Sequence, residues 1–299
     1  MDTRQLKHLV ALVELGTVHA AAEDQFISQP GLSGSIKRLE AQLGLVLFER
    51  DGRGMQPNAK GKELYRHAKL ILEQVRLARA DLAGEPTNLI VGLGEVRPTG
   101  FVGAFHDSLL ESYPDLSLSF VEGNFESLCT QVENGDVDAA FVTAAPDRLA
   151  ATLVGQALFK SEWIVFCSAN NPLHHNQGDV PMSELKQFSW VRNGAAPVAA
   201  RFVPDFIGYE KNPLGDARYV TAGSQQMAID LVLHSRLLGY GPRVAIESEL
   251  ASGQAIELDL HISKWYITIT EIRRRDVYSK VLDRAFAIAE EYCQSRTFV

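Results

Sequence analysis

Ser28, Gln29, Ser33, Lys37 and Arg38 stand together in the segment SQPGLSGSIKRLEAQL, residues 28–43. Hydroxyl, amide and cationic groups of this kind hydrogen-bond base edges and phosphate oxygens. Leu32, Ile36, Leu39 and Leu43 recur at spacings of four, three and four, which on a helix makes one apolar stripe. Pro30, Ser33, Gly34 and Lys37 then fall on the opposite face, with Arg38 beside them. That face is small at its start and basic further on, as a helix entering a DNA major groove must be. Ser28 suits the N-cap, and Pro30 is tolerated in the first turn, where no intrahelical acceptor is lost. A second set of cations follows in LFERDGRGMQP, residues 47–57, where Arg50 and Arg53 flank the turn signal Asp51-Gly52 behind Leu47 and Phe48, which look buried. A hairpin of this kind is a wing that can reach phosphates or the minor groove. The alternative is a surface hairpin whose arginines pair with Glu49 and Asp51.

The elements that must hold these groups are legible upstream. Leu6, Leu9, Val10 and Val13 mark an amphipathic helix that Gly16 can stop. A short alanine-rich helix runs from His19 to about Gln25, where Ala21 and Ala22 admit a close neighbour. Phe26 and Ile27 turn the chain into the Ser28 helix. This describes a helix-turn-helix, although an ordinary three-helix core with a solvated polar face shares the pattern.

The run from Arg4 to Gly61 resembles the winged helix-turn-helix of LysR-type transcriptional regulators. The matching pieces are RQLKHLVALVELGTVHAAAE, ISQPGLSGSIKRLEAQLGLVLFER and DGRG, in the family's order and spacing. The resemblance implies a sequence-specific regulator that binds double-stranded DNA and answers to a small-molecule effector, with no enzymatic activity. Ser28, Gln29, Pro30, Ser33, Gly34 and Lys37 are expected at the groove, and Arg38, Arg50 and Arg53 at phosphates. Four departures stand out. His19 occupies a position where the family has Ser or Thr, which implies a poorer cap. Gly31 and Gly34 replace larger residues, each costing up to about 1 kcal/mol of helix stability, and Gly34 removes a side chain that could read a base. QPNAK (56–60) replaces the family's usual stretch, with Asn58 as a substitute cap.

Beyond Asn58, Leu64, Ala68, Ile71, Val75, Ala78 and Leu82 follow a heptad pattern to Gly84 and Pro86. A helix of roughly 35–40 Å results at 1.5 Å per residue. Such a helix either dimerises or packs along its own chain, and the narrow stripe favours dimerisation. The resemblance makes it the linker helix of a homodimer that pairs into a homotetramer, and allows a contact with RNA polymerase.

From Leu89 the pattern alternates strand and helix. LIVGLG (89–94), LSLSFVE (116–122) and VDAAFV (137–142) read as strands, separated by helices Phe101–Tyr113 and Phe125–Asn134. Strands WIVFC (163–167), FSWV (188–191) and ARYVT (217–221), helix Ser224–His234, strand WYITIT (265–270) and a helix over 277–294 complete the chain. The expected fold class is therefore a winged helix-turn-helix with a long linker helix, followed by an α/β effector domain of two Rossmann-like subdomains. This second part resembles the periplasmic-binding-protein-like domain of the same family, on YPDLSLSFVEGNFESLCTQVENGDVDAAFV and LGYGP (238–242). The expected boundaries are 1–58 for the DNA-binding domain, 59–84 for the linker helix and 88–299 for the effector domain. Its subdomain I takes 88–161 and 268–299, and subdomain II takes 162–267.

Open α/β sheets bind ligands beyond the carboxyl ends of their strands. That rule, with the resemblance, places Glu95, Val96, Arg97, Thr99, Asn124, Thr143, Arg192, Asn193 and Ser224 at the effector. Arg97 and Arg192 could hold a carboxylate and Glu95 an amine, giving a zwitterionic effector. Alternatively Glu95 and Arg97 pair with each other.

The chain has 299 residues and a net charge of −8, unevenly divided. Residues 1–84 carry 12 Lys and Arg against 10 Asp and Glu, and the rest 17 against 27, so the positive balance lies where DNA would bind. No apolar run is long enough to span a bilayer and no secretory h-region opens the chain, which points to the cytoplasm and to no membrane partner. Cys129, Cys167 and Cys293 form no metal pattern, and the pair His174-His175 lies in a polar loop. A solute-binding protein would have no use for residues 1–84. An enzyme would need a motif that is missing: Arg97 stands where a dinucleotide fingerprint needs its last glycine.

Overall fold

The computed structural model describes residues 1–51, 54–83, 88–175, 180, 182–193, 218–260, 264 and 266–296. The chain divides into two compact units, one built mainly from residues 1–87 and one from most of the remainder.

The first unit opens with α1 (Thr3–Leu15), α2 (Val18–Asp24) and α3 (Gln29–Leu43), followed by strands β1 (Phe48–Asp51) and β2 (Gly54–Pro57) and helix α4 (Ala59–Ala83). Each helix starts on a side-chain cap that satisfies an otherwise orphaned amide. Asp2 and Gln5 form a reciprocal capping box on α1. On α2 the cap is Thr17, whose Oγ1 accepts from the Ala20 amide at 3.2 Å. The expected weak cap at His19 is therefore corrected: the helix begins one residue earlier, and His19 lies inside it. Ser28 caps α3 through the Gly31 amide and Asn58 caps α4 through the Gly61 amide, as expected. Gly16 and Gly44 close α1 and α3 with φ of 72° and 67°, where a Cβ would be strained.

Leu6, Leu9, Leu12, Ala21, Ala22, Leu32, Ile36, Leu39, Leu47 and Phe48 form one core. Leu43, expected in the same stripe, is instead exposed at the end of α3, and Ser35 is buried in its place. Glu40 draws the hairpin against α3 by accepting from the amides of Leu47 at 2.8 Å and Phe48 at 3.3 Å. The hairpin pairs Phe48 with Pro57 and Asp51 with Gly54. In α4, Leu64, Tyr65, Ala68 and Leu72 pack on this core, so the first part of the heptad stripe is occupied within the chain. Ile71 and Leu82 are 38% and 86% exposed.

In the second unit, β3 (Asn88–Leu93) lies between β4 (Ser117–Glu122) and β5 (Ala139–Thr143), all parallel. Helices α5 (Phe101–Ser112) and α6 (Phe125–Asn134) make the crossovers. The expected parallel units are present here, but the sheet continues antiparallel through β11 (Tyr266–Arg274) and β6 (Leu153–Ser168). β6 was legible only in its second half. Its first half, LVGQALFK, has little apolar alternation, and among the described residues it pairs along one edge, with β11. The second half pairs with β9 (Gly239–Pro242) and β10 (Ala255–Glu257). The remaining strands, β7 (Trp190–Asn193) and β8 (Tyr219–Ala222), are parallel. Short helices α7 (Met182–Leu185) and α9 (Glu247–Ala251) accompany α8 (Gln225–Leu233) and α10 (Lys280–Gln294). One core lies behind β3 and β5 against α6, and two more surround β6 and β7.

Candidate nucleic-acid interface and effector site

Helix α3 shows its polar face to solvent. Ser28, Gln29, Pro30, Lys37 and Arg38 are exposed, and Ser33 and Gly34 are half-buried. A Cβ on Gly34 would come no closer than 3.5 Å to its nearest neighbour, an Arg38 guanidinium nitrogen, so the glycine leaves open space on this face. The helix is held from behind by Leu32, Ile36 and Leu39 and by a buried hydrogen bond between His8 Nδ1 of α1 and Ser35 Oγ at 2.7 Å. Burial, and then the nearby Arg4, keep the His8 pKa below the ordinary 6.5, with Arg38 adding to the effect and Asp2 opposing it. His19 has a role that its place in the sequence concealed. Its Nδ1 lies 3.0 Å from Gln29 Nε2, so α2 orients the first residue of α3. The signal lay in its ten-residue separation from Gln29, which only the angle between the helices could turn into a contact. The side chain of Arg50 and all of Gly52 and Arg53 lie outside the described residues, as does the pairing expected of those arginines.

In the second unit the candidate effector residues lie at strand ends, as the α/β rule requires. Glu95, Val96, Arg97 and Thr99 follow β3, Asn124 follows β4, Thr143 ends β5 and Ser224 follows β8. Gly94 is required where the chain leaves β3, because a Cβ there would meet the Phe141 carbonyl oxygen at 2.9 Å. Asn124 and Ser224 are exposed and cap α6 and α8, accepting from the amides of Ser127 at 2.8 Å and Met227 at 3.2 Å. Thr99 precedes α5, and its carbonyl oxygen accepts from the Tyr292 hydroxyl at 3.1 Å.

Arg97 donates to the Gly94 carbonyl at 3.1 Å and to Glu122 Oε1 at 2.6 Å. Arg97 thus has an ion-pair partner in Glu122, which the parallel register sets opposite Leu93 at the end of the neighbouring strand. The side chains of Arg192, Asn193, His174 and His175 lie outside the described residues. Cys167 and Cys293 are buried and Cys129 is half-buried; burial pushes their thiols up to about 11, 12 and 11 respectively, which suppresses the reactive thiolate. Among the described residues no group of His, Cys, Asp and Glu could hold a metal ion, and no helix is long and apolar enough to cross a membrane.

Known proteins match both units. Residues 3–62 match the family described as bacterial regulatory helix-turn-helix protein, lysR family, and residues 83–292 match the LysR substrate binding domain. The chain is 26% identical over 266 residues to the HTH-type transcriptional regulator GalR of Pseudomonas putida, an alignment covering 87% of this chain and 66% of that one. The matched stretches of two further curated relatives also fall short of two thirds, at 57% and 62% of their lengths. Among solved structures, a full-length OxyR variant from Pseudomonas aeruginosa superimposes with a TM-score of 0.72 at 20% identity, covering 100% of this chain and 96% of that one. Full-length LysG from Corynebacterium glutamicum, with bound effector Arg, gives 0.69 at 18% identity, covering 99% of both. These two likenesses show the fold, and the relatives' names are those of regulators. With a helix-turn-helix match over its first unit and a substrate-domain match over most of its second, the chain belongs to the LysR family.

Proposed function

We propose that this protein is a sequence-specific, DNA-binding transcriptional regulator of the LysR type, acting in the cytoplasm and controlled by a small-molecule effector. One observation carries the reading: Leu32, Ile36 and Leu39 commit one side of α3 to the core while Ser28, Gln29, Lys37 and Arg38 face solvent on the other side. A helix so held presents donors to a groove without having to rearrange. Ser33, Pro30 and Gly34 complete the groove face, and Arg50 and Arg53 of the wing take phosphates. Residues 1–58 form the DNA-binding domain and 59–84 the linker helix. Its exposed Ile71 and Leu82 serve a homodimer, and dimers pair into a tetramer.

Residues 88–299 hold the effector, at Glu95, Val96, Thr99, Asn124, Thr143, Arg192, Asn193 and Ser224. Arg97 is a weaker contributor than its charge suggests. To hold an effector carboxylate it must exchange one ion pair, with Glu122, for another, and the gain from such an exchange is small. β6 supports a control mechanism because its halves pair in different parts of the fold, with β11 and with β9 and β10. Effector binding changes closure about this shared strand and so alters the spacing of the DNA-binding units in the tetramer.

A footprint of the purified protein on the DNA just upstream of its own gene, across a salt series, tests the reading. Two protected half-sites that fade steeply with salt are expected. Lys37→Ala should then weaken specific binding by roughly 1–3 kcal/mol. Equal loss on random DNA would move Lys37 to the phosphate set, and no protection at any salt, with or without effector candidates, would refute the reading.

A further inference from the structure

Phe26 sits in the turn between α2 and α3, two residues before the cap of the recognition helix. Among the described residues it is the one non-glycine residue in the left-handed region, with φ of 54°. It is 95% exposed, the most exposed of the large hydrophobic residues described. Both features work against the free protein. The left-handed backbone brings Cβ against the following carbonyl and suits Gly or Asn, and a bare aromatic ring in water forgoes a large apolar burial. The turn is not loose: the Phe26 amide donates to the Glu23 carbonyl at 3.0 Å and the Ile27 amide to the Ala22 carbonyl at 2.9 Å. Ile27 packs on the core while Phe26 is held out of it. The backbone thus holds Phe26 just before Ser28 and Gln29, at the N-terminal end of α3, in the unit that holds the chain's positive balance.

We propose that Phe26 is a further DNA-contacting residue, whose ring packs against deoxyribose and a thymine methyl at the groove edge next to Gln29. The proposal rests on the DNA-binding reading above. An apolar contact of this kind discriminates through the methyl group and displaces no phosphate counterion. It therefore leaves a signature distinct from that of Lys37 or the arginines: a loss of affinity with no change of salt slope.

The test compares the full-length protein with Phe26→Asn and Phe26→Tyr on a duplex carrying the protected half-sites, across a salt series. Thermal denaturation and sedimentation are measured alongside. Phe26→Asn is expected to keep or raise Tm, because asparagine tolerates the left-handed turn, and to bind the operator about tenfold more weakly at every salt concentration. Phe26→Tyr, which keeps the ring, should stay within about twofold of wild type. Wild-type affinity in Phe26→Asn overturns the proposal, as does a salt slope shallower by a full unit. Loss of self-association without loss of half-site binding also overturns it, in favour of a contact with a second copy. If the wild-type protein fails to bind any of its upstream DNA, the DNA-binding reading has failed and the proposal falls with it, whereas a bound wild type with an equally bound Phe26→Asn removes Phe26 alone.

Discussion

His8 is buried between α1 and α3 and holds Ser35 Oγ at 2.7 Å, in a setting that favours its neutral form. In the unfolded chain it takes up a proton near 6.5, whereas the folded unit resists protonation, so the unfolded state binds more protons below that pH. Its contribution to stability is complete above 6.5 and falls away as the pH drops through the lower folded value. We expect the urea midpoint of helix loss to decline between pH 7 and pH 5, and His8→Gln to remove much of that decline. An unaltered pH slope in His8→Gln would show that other groups are responsible. Phe26, His19 and Arg97 illustrate the same scale from the other side: each has a partner or an exposure that no local pattern announced. Arg97 was recognisable as a cation at a strand end, but its pairing with Glu122 depends on which strand lies beside β3.

Among the elements, α4 departs most from the expectation drawn from spacing. Its heptad reads evenly from Leu64 to Leu82, yet Leu64 and Ala68 belong to the core of the first unit and only the later positions remain open. Periodicity reports that one face of a helix is apolar; it is silent on whether the covering surface is in the same chain. Replacing Ile71 and Leu82 together by Glu should convert the proposed dimer to monomer with the helix content intact, while Ala68→Glu, which buries a charge, should unfold the first unit. Sedimentation and circular dichroism distinguish the two, and a double variant that stays dimeric would place the seam elsewhere.

At the scale of the whole molecule, the second unit carries a titration opposite in sign to that of His8. Glu271 of β11 is 4% exposed, and burial, aided by Glu290 and opposed by Arg273, pushes its carboxyl up to about 8. Its Oε2 has no hydrogen-bond partner among the described residues. The unfolded chain loses this proton near 4.5 while the folded unit keeps it, so stability falls as pH rises from 4.5 towards 8. Glu271→Gln should stabilise the α/β unit at pH 8 by on the order of 1–3 kcal/mol, seen as a higher Tm, and change it little at pH 5. Equal effects at the two pH values would mean that the side chain is charged throughout or acts only by packing. Calorimetry of the full chain should therefore show acidification weakening the helical unit and strengthening the α/β unit.

Fold class, the helix-turn-helix, the caps at Ser28 and Asn58 and the strand ends that carry the candidate effector residues could all be derived from the sequence alone. Each rests on a short-range rule: a 3.6- or two-residue period, a cap three residues from its amide, a turn signal between runs. The order of strands, the antiparallel continuation through β6 and β11, the Glu122 partner of Arg97, the burial of His8 and Glu271 and the division of α4 between core and solvent were decided by tertiary structure. These depend on residues far apart in sequence meeting across packed elements, and local propensity holds no record of which surfaces will meet.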